Sequence, residues 1–208
     1  MFFGDSICYG HFVSPHCTWV TSISYKLHET FGEKLWVNNC SVSGNTTRMA
    51  LERMYFDVLA HHVDIILIQF GLNDCMLWET DRGLPRVSKK SFQANLEEII
   101  QRSKLFGAQQ IFLTTNHPVN KFIKIGNNSI PHQKGNFEYN KIIRKVAKSS
   151  TNVQLIDIEK IFLSYPLKKE KLLQPDGVHL SKEGHSLYFC HVYPYMKQAV
   201  KVFIGEIE

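Results

Sequence analysis

Apolar residues are spaced along this chain in two ways. Short runs in which nearly every position is aliphatic or β-branched read as strands covered on both faces. Longer stretches with an apolar residue every third or fourth position read as amphipathic helices. Val63-Asp64-Ile65-Ile66-Leu67-Ile68-Gln69-Phe70 is the clearest strand, and Met1-Phe2-Phe3, Leu35 to Asn39, Ile111 to Thr115 and Val153 to Ile158 are shorter candidates. The helices fall between them. Thr18 caps one that runs to Phe31, with Trp19, Ile23 and Leu27 on one face and Gly32 as its stop. Thr46 or Thr47 caps the next, through Met49, Leu51, Met54, Val58 and Leu59 to about His62. Ser88 opens a third through Phe92, Leu96, Ile99, Ile100 and Leu105, closed by Gly107. A fourth spans about Phe137 to Lys148, and Ser181 caps the last. Strand and helix alternate strictly, with five strands, which argues for a parallel sheet carrying helices on both faces.

Two stretches follow neither spacing. Residues 75–87 read as a surface loop bearing Trp78 and Pro85. Residues 116–136 contain Pro118, Gly126, Asn127, Asn128, Pro131 and Gly135 with no sustained period, and are expected to form a rim or lid beside the strand ends. There is no internal repeat, low-complexity tract or linker. One domain over 1–208 follows, and 208 residues at 44% hydrophobic are enough for a full core.

In an open parallel sheet, ligands sit outside the carboxyl ends of the strands, and the polar clusters of this chain collect there. Gly4-Asp5-Ser6 follows the first strand, Gly44-Asn45 the second, and Gly71-Leu72-Asn73-Asp74 the third. Asp176-Gly177-Val178-His179 lies in the last loop before the C-terminal helix. Ser6 at a sharp turn is a helix cap or a nucleophile, and Gly4 is expected to supply the backbone freedom of that turn. His179 is the natural base for Ser6, since a neutral imidazole accepts a hydroxyl proton near pH 7. Asp176 can reach the other ring nitrogen and fix its tautomer. The N–H groups of Ser6 and Gly44 and the side-chain amide of Asn73 could face a developing oxyanion. Each cluster also has a structural explanation. Asp5 can satisfy N–H groups around the turn, and Asn73 and Asp74 can cap the segment that follows. Asp74, Trp78 and His117, the last at the end of the fourth strand, are candidates for the pocket rim.

Bulk composition narrows the classes. No run approaches the apolar length of a membrane span. The N-terminus lacks a basic region followed by an apolar run, and five cysteines without a CxxC pair suit reduced thiols, so the expected location is cytoplasmic. Three residues before Gly4 are short for a core strand, which fits a natural start upstream of Met1. Cys8 and Cys75, beside the polar clusters, read as small buried thiols. Residues 1–100 carry 8 basic and 11 acidic side chains, and residues 101–208 carry 16 and 8. The basic half tilts slightly toward anionic leaving groups. Its Lys141, Arg144, Lys145 and Lys148 lie at helical spacing without aromatic stacking partners, as on a solvated helix face, so no nucleic-acid partner is expected. The ten histidines show no ligand spacing, and neither a metal nor another cofactor is expected.

Gly4-Asp5-Ser6-Ile7, Gly44-Asn45, Gly71-x-Asn73-Asp74 and Asp176-x-x-His179 together resemble the four blocks of the SGNH (GDSL-type) hydrolase superfamily. The resemblance runs from Gly4 to the last helix. It implies a three-layer α/β/α, flavodoxin-like sandwich with strand order 2-1-3-4-5. It also implies a Ser6–His179–Asp176 triad, an oxyanion hole from Ser6, Gly44 and Asn73, and hydrolysis of a carboxylic ester or thioester through an acyl-enzyme. No broad apolar lid is evident, so a small acyl group on a small-molecule ester is expected. Two other classes compete. A non-catalytic carbohydrate- or lipid-binding module on the same fold would have no need of both Asp176 and His179. A flavodoxin-like nucleotide binder would want a glycine-rich phosphate loop opening a helix, and Gly-x-Gly-x-x-Gly is absent.

Overall fold

The computed structural model describes residues 1–166 and 169–205. The elements in order are β1 (Phe2–Gly4), α1 (Ser6–Tyr9), α2 (Trp19–Phe31), α3 (Thr47–Asp57), β2 (Ile65–Gln69), α4 (Lys89–Leu105) and β3 (Gln110–Thr114). They continue with β4 (Phe122–Ile125), β5 (Asn128–Pro131), α5 (His132–Ser149), β6 (Val153–Ile156), α6 (Ile158–Ser164) and α7 (Lys182–Phe203). The caps read from the sequence set the helix starts. Side chains of Thr18, Thr46, Ser88 and Ser181 accept from the N–H of Thr21, Met49, Ser91 and Gly184, each worth roughly 0.5–2 kcal/mol.

The sheet is parallel with helices on both faces, and side chains alternate across it as the strand period requires. Phe2, Leu67, Phe112 and Ile156 point to the face covered by α2 and α7. Phe3, Ile66, Ile68, Ile111 and Leu113 point to the face covered by α3, α4 and α5. The register places Phe2 beside Leu67 and Leu67 beside Phe112. Every strand therefore ends toward the same edge, where the polar clusters lie.

The sheet has four strands in the order β1-β2-β3-β6, not the five expected. The missing one is Leu35 to Asn39. It lies alongside β1 where a second strand would, but its pairing is a single bridge between Phe2 and Asn39. Three backbone bonds hold the segment and its continuation: Phe2 N–H to Asn38, Cys40 N–H to Phe2 and Val42 N–H to Gly4. Trp36, in its middle, is 86% exposed. With β1 only three residues long and no core beneath Trp36, neither a ladder nor burial extends the pairing.

The irregular stretch expected over 116–136 holds regular structure. β4 and β5 form an antiparallel ribbon with Ile125 opposite Asn128, turned at Gly126-Asn127. Most of its side chains are exposed, so it lacks the apolar alternation that marks a half-buried strand. Helix α5 begins at His132, ahead of the expected Phe137, because Gly135 lets the helix approach Cys75. A Cβ on Gly135 would stand 3.2 Å from the Cys75 carbonyl oxygen.

An ion cluster joins α5 to the turn after β6. Arg144 donates to Asp157 Oδ1 at 2.7 Å and to Glu159 Oε2 at 2.8 Å, and the Glu159 side chain is 2% exposed. Arg144→Met leaves that carboxylate buried without its cation. Unfolding in urea should show a loss of about 3 kcal/mol at unchanged m-value, the low end of such effects because Arg144 itself is partly exposed. A loss under about 1 kcal/mol would mean that water already screens Glu159.

Candidate active site

Ser6 opens α1 directly after β1. Asp5 is the N-cap, its carboxylate accepting the Ile7 N–H at 2.9 Å, and the helix stops at Gly10. Gly4 serves the turn by leaving space rather than by an unusual backbone angle. A Cβ there would stand 2.8 Å from both the Gln69 carbonyl oxygen and the Cys8 sulfur. Only glycine lets β1 and α1 fold this closely, and Ser6 ends at the edge of the sheet, 8% exposed.

The loop after Gln174 brings the second pair. Gly177 lies in the left-handed region at φ 70°, and a Cβ would stand 2.4 Å from the Asn120 carbonyl oxygen. Two bonds brace the loop from the segment after β3. Asn120 N–H donates to the Gly177 carbonyl at 2.7 Å, and His117 Nε2 lies 2.8 Å from the Val178 carbonyl. A carbonyl only accepts, so His117 carries its proton on Nε2 and takes the Tyr188 hydroxyl on Nδ1 at 3.1 Å. Burial pulls the His117 pKa down to about 4, which keeps the ring neutral. His117 is thus fully buried behind the loop, not on a rim as expected.

Asp176 Oδ1 accepts the N–H groups of Val178 and His179, both at 3.0 Å, and Oδ2 takes His179 Nδ1–H at 2.5 Å. The His179 proton is therefore on Nδ1. Nε2 presents a lone pair to Ser6 Oγ at 2.9 Å. Burial raises the Asp176 pKa, but these three donors outweigh it and hold the carboxyl below the usual range. Burial pushes the His179 pKa below 6.5, and the carboxylate of Asp176 returns part of that shift. The three side chains thus stand in line: a hydroxyl, a neutral imidazole beside it and a carboxylate behind the imidazole.

The other two clusters meet each other through Asn73. Gly44 is exposed, and its N–H has no partner among the described residues. Asn73 Nδ2 donates to the Asn45 carbonyl at 3.1 Å and, more weakly, to Asp5 Oδ2 at 3.4 Å. Asp74 is fully buried, again not a rim residue. Its Oδ1 accepts both the N–H and the hydroxyl of Thr47, at 2.9 and 2.5 Å, which ties the third cluster to the start of α3. Trp78 is exposed, with the Arg86 guanidinium 4.6 Å from its ring, and Arg86 also donates to the Gly44 carbonyl at 3.1 Å. Cys8 and Cys75 are buried, and burial raises both thiol pKa values. Among the described residues no group of three His, Cys, Asp or Glu side chains is arranged to hold a metal ion, and no helix is long and apolar enough to cross a membrane.

Three residues escaped the sequence reading. Arg53 on α3 donates to Asn45 Oδ1 at 2.7 Å, to the Cys40 carbonyl at 2.6 Å and to the Gly4 carbonyl at 3.3 Å, and it also pairs with Asp57. Its only sequence trace is the spacing to Asp57, which reads as an ordinary surface pair. His11 and Phe12 stand against His179, with ring centroids 4.8 and 5.1 Å away. Only their closeness to Ser6 in the chain could have hinted at them.

A serine, an imidazole and a carboxylate thus stand in line at the carboxyl edge of a parallel sheet. The model of the GDSL-like lipase/acylhydrolase family matches residues 2–187. An arylesterase of Vibrio mimicus is 25% identical over 181 residues, covering 87% of this chain and 79% of that protein. The Bacillus subtilis (strain 168) lipoprotein YqeF is 28% identical over 171 residues, covering 73% of this chain and 69% of its own. The crystal structure of a lipase/acylhydrolase from Enterococcus faecalis superposes with a TM-score of 0.76 at 28% identity, covering 95% of this chain and 94% of that one. The chain belongs to the GDSL-like lipase/acylhydrolase family, within the SGNH hydrolases, and is a carboxylic ester hydrolase.

Two carboxyls beneath Ser6 make stability depend on pH. Burial, reinforced by Asp74, raises the Asp5 pKa from 3.8 to about 7. Burial likewise raises Asp74 to about 6 against the Thr47 bonds. An acid with a raised pKa holds its proton more tightly folded than unfolded. Its contribution is full below the ordinary carboxylate range and is lost as pH rises through the folded value. The wild type should therefore lose on the order of 2 kcal/mol between pH 5 and 8 in urea titrations. Asp5→Asn should flatten most of that slope, and an Asp5→Asn protein that keeps the full slope would exclude Asp5 as its source.

Proposed function

We propose that this hydrolase cleaves esters or thioesters of a small acyl group through an acyl-enzyme, with the whole chain acting as one domain. Ser6 is the nucleophile, His179 the base and Asp176 the group that orients it. The observation that carries this reading is the tautomer. With Nδ1–H committed to Asp176, the nitrogen facing Ser6 can only accept the hydroxyl proton. As Oγ attacks the carbonyl carbon, its proton passes to Nε2, and the imidazolium formed is balanced by Asp176. The C–O or C–S bond then breaks and Nε2 returns the proton to the leaving oxygen or sulfur. Water, deprotonated by the same nitrogen, releases the acid and restores Ser6.

The negative charge on the carbonyl oxygen is taken by the N–H groups of Ser6 and Gly44 and by Asn73 Nδ2. Asn73 can turn one hydrogen to the oxyanion by giving up its longer contact, the one to Asp5. Loss of one such donor costs about 2.7–4 kcal/mol of transition-state stabilisation. The surroundings of Ser6 support a small acyl group. Two roomy hollows, about 490 and 890 Å³, are lined by residues such as Val63, Ile65, Gln110 and Gln154 at the amino ends of the strands. Size alone would favour them, but neither is lined by any of the four polar clusters. Beside Gly44 the space is bounded by Arg86 packed on Trp78.

A p-nitrophenyl ester ladder from acetate to palmitate, with and without an organophosphate, tests the reading. Turnover should peak at short chains, the adduct should map to Ser6, and Ser6→Ala should remove turnover while circular dichroism stays unchanged. An active Ser6→Ala protein, or an adduct elsewhere, would overturn it. The pH profile supplies a second test. The base must be neutral, and burial holds the His179 pKa below 6.5, so kcat/KM should fall on the acid side with a midpoint under 6.5. A midpoint above 7 would sink His179 as the base.

A further inference from the structure

Phe12 has two features that folding does not account for. Its backbone sits at φ 67°, a left-handed conformation that a bulky side chain resists. Its ring is 65% exposed, outside both apolar clusters of the core. The ring's neighbours are two imidazoles. His11 lies 4.1 Å away between centroids, and His179 lies 5.1 Å away, nearly perpendicular. His11 in turn is 4.8 Å from His179, and its Nδ1 is 3.4 Å from Ser43 Oγ, beside Gly44. The two rings therefore form a wall along one side of the Ser6–His179 pair.

The chemistry says which half of the substrate meets that wall. The leaving oxygen takes its proton from His179 Nε2, so it must come within hydrogen-bond reach of that atom. Whatever that oxygen carries then lies beside the His179 ring, where Phe12 stands. The acyl carbon stays bonded to Ser6, with its oxygen turned to the amide donors. We infer that His11 and Phe12 form the alcohol-side subsite, and that it selects planar aromatic leaving groups over compact or merely bulky alkyl alcohols. The exposed Phe12 ring can take an offset or edge-on ring contact, and its strained backbone is what holds it out beside His179. This rests on the Ser6–His179 reading above.

Phenyl, cyclohexyl and methyl acetate share one acetyl-enzyme, so differences among them in kcat/KM report acylation and the alcohol side alone. Phe12→Asn removes the ring with a residue that tolerates the left-handed backbone, and Phe12→Trp keeps an aromatic face. In Phe12→Asn the ratio of kcat/KM for phenyl over methyl acetate should fall about 5- to 10-fold from the wild-type ratio, and Phe12→Trp should restore it. An unchanged ratio would overturn the subsite, as would an equal loss on both esters, which would make Phe12 only a support for His179. A matching fall for cyclohexyl acetate would overturn the preference for planar groups. If wild type cleaved none of the three, the Ser6 reading itself would fail, a result distinct from a changed ratio.

Discussion

Polar groups buried beneath Ser6 have to find partners in one another, and that requirement decides where each loop runs. A buried donor or acceptor left unpaired costs roughly 1–3 kcal/mol, and this layer holds many. Gln69 Nε2 donates to Asn116 Oδ1 at 2.9 Å, and Asn116 Nδ2 donates to the Phe70 carbonyl at 3.2 Å. Asn140 takes the Asn116 N–H and donates to its carbonyl, at 2.8 and 2.9 Å. Asn136 Nδ2 donates to the His117 carbonyl at 2.8 Å. These bonds tie the ends of β2 and β3 to α5. They also hold the His117 segment, which braces the Asp176–His179 loop from behind. A loop moved by one residue would break several of them at once.

Arg53 does the same for the other half of the site. One guanidinium gathers the Gly4 carbonyl, the Cys40 carbonyl and Asn45 Oδ1, with its Cζ 4.5 Å from the centre of the Phe3 ring. A planar fork of five donors can serve several acceptors in fixed directions, which a lysine cannot. The end of β1, the segment replacing a second full strand and the loop carrying Gly44 are thereby locked together. The weak pairing of residues 35–39 is tolerable for this reason. Position near the site is set by Arg53 and by Asp74 on Thr47 as well as by the few backbone bonds to Phe2 and Gly4.

These same contacts explain what the sequence could and could not reveal. Ser6, Gly44, Asn73, Asp176 and His179 stood out because each sits in a local turn with small or polar neighbours. The elements with strong apolar periods, α2, α4 and β2, were legible for an equally local reason. Leu35 to Asn39 misled because its composition is strand-like, while pairing depends on the length of its neighbour. The β4–β5 ribbon was hidden because both faces are largely wet and its second strand ends in Pro131. Asp74 and His117 were placed on a rim because polarity near a site suggests exposure. Their partners, Thr47 and the Val178 carbonyl, come from 27 and 61 residues away, and no local pattern reports such distances.

Asp5 shows how the demands of fold and site oppose each other. Its carboxylate must lie under Ser6 to cap α1 and to receive Asn73, yet full burial beside Asp74 makes its charged form costly. Among the described residues, the Oδ2 of Asp74 has no hydrogen-bond partner. A neutral Asp5 would relieve the fold, but a protonated oxygen is a poorer acceptor for Asn73 Nδ2. The proposed base, His179, would work only when neutral, toward higher pH, where Asp5 and Asp74 are increasingly ionised and the fold is less favoured. The pH range in which the imidazole is neutral and the carboxyls are still partly protonated is where the two trends meet. With the His179 pKa held below 6.5 and Asp5 raised to about 7, that range lies near neutrality. Burial shifts both in the directions that open this window, lowering the base and raising the acid, so one physical cause sets both of its limits.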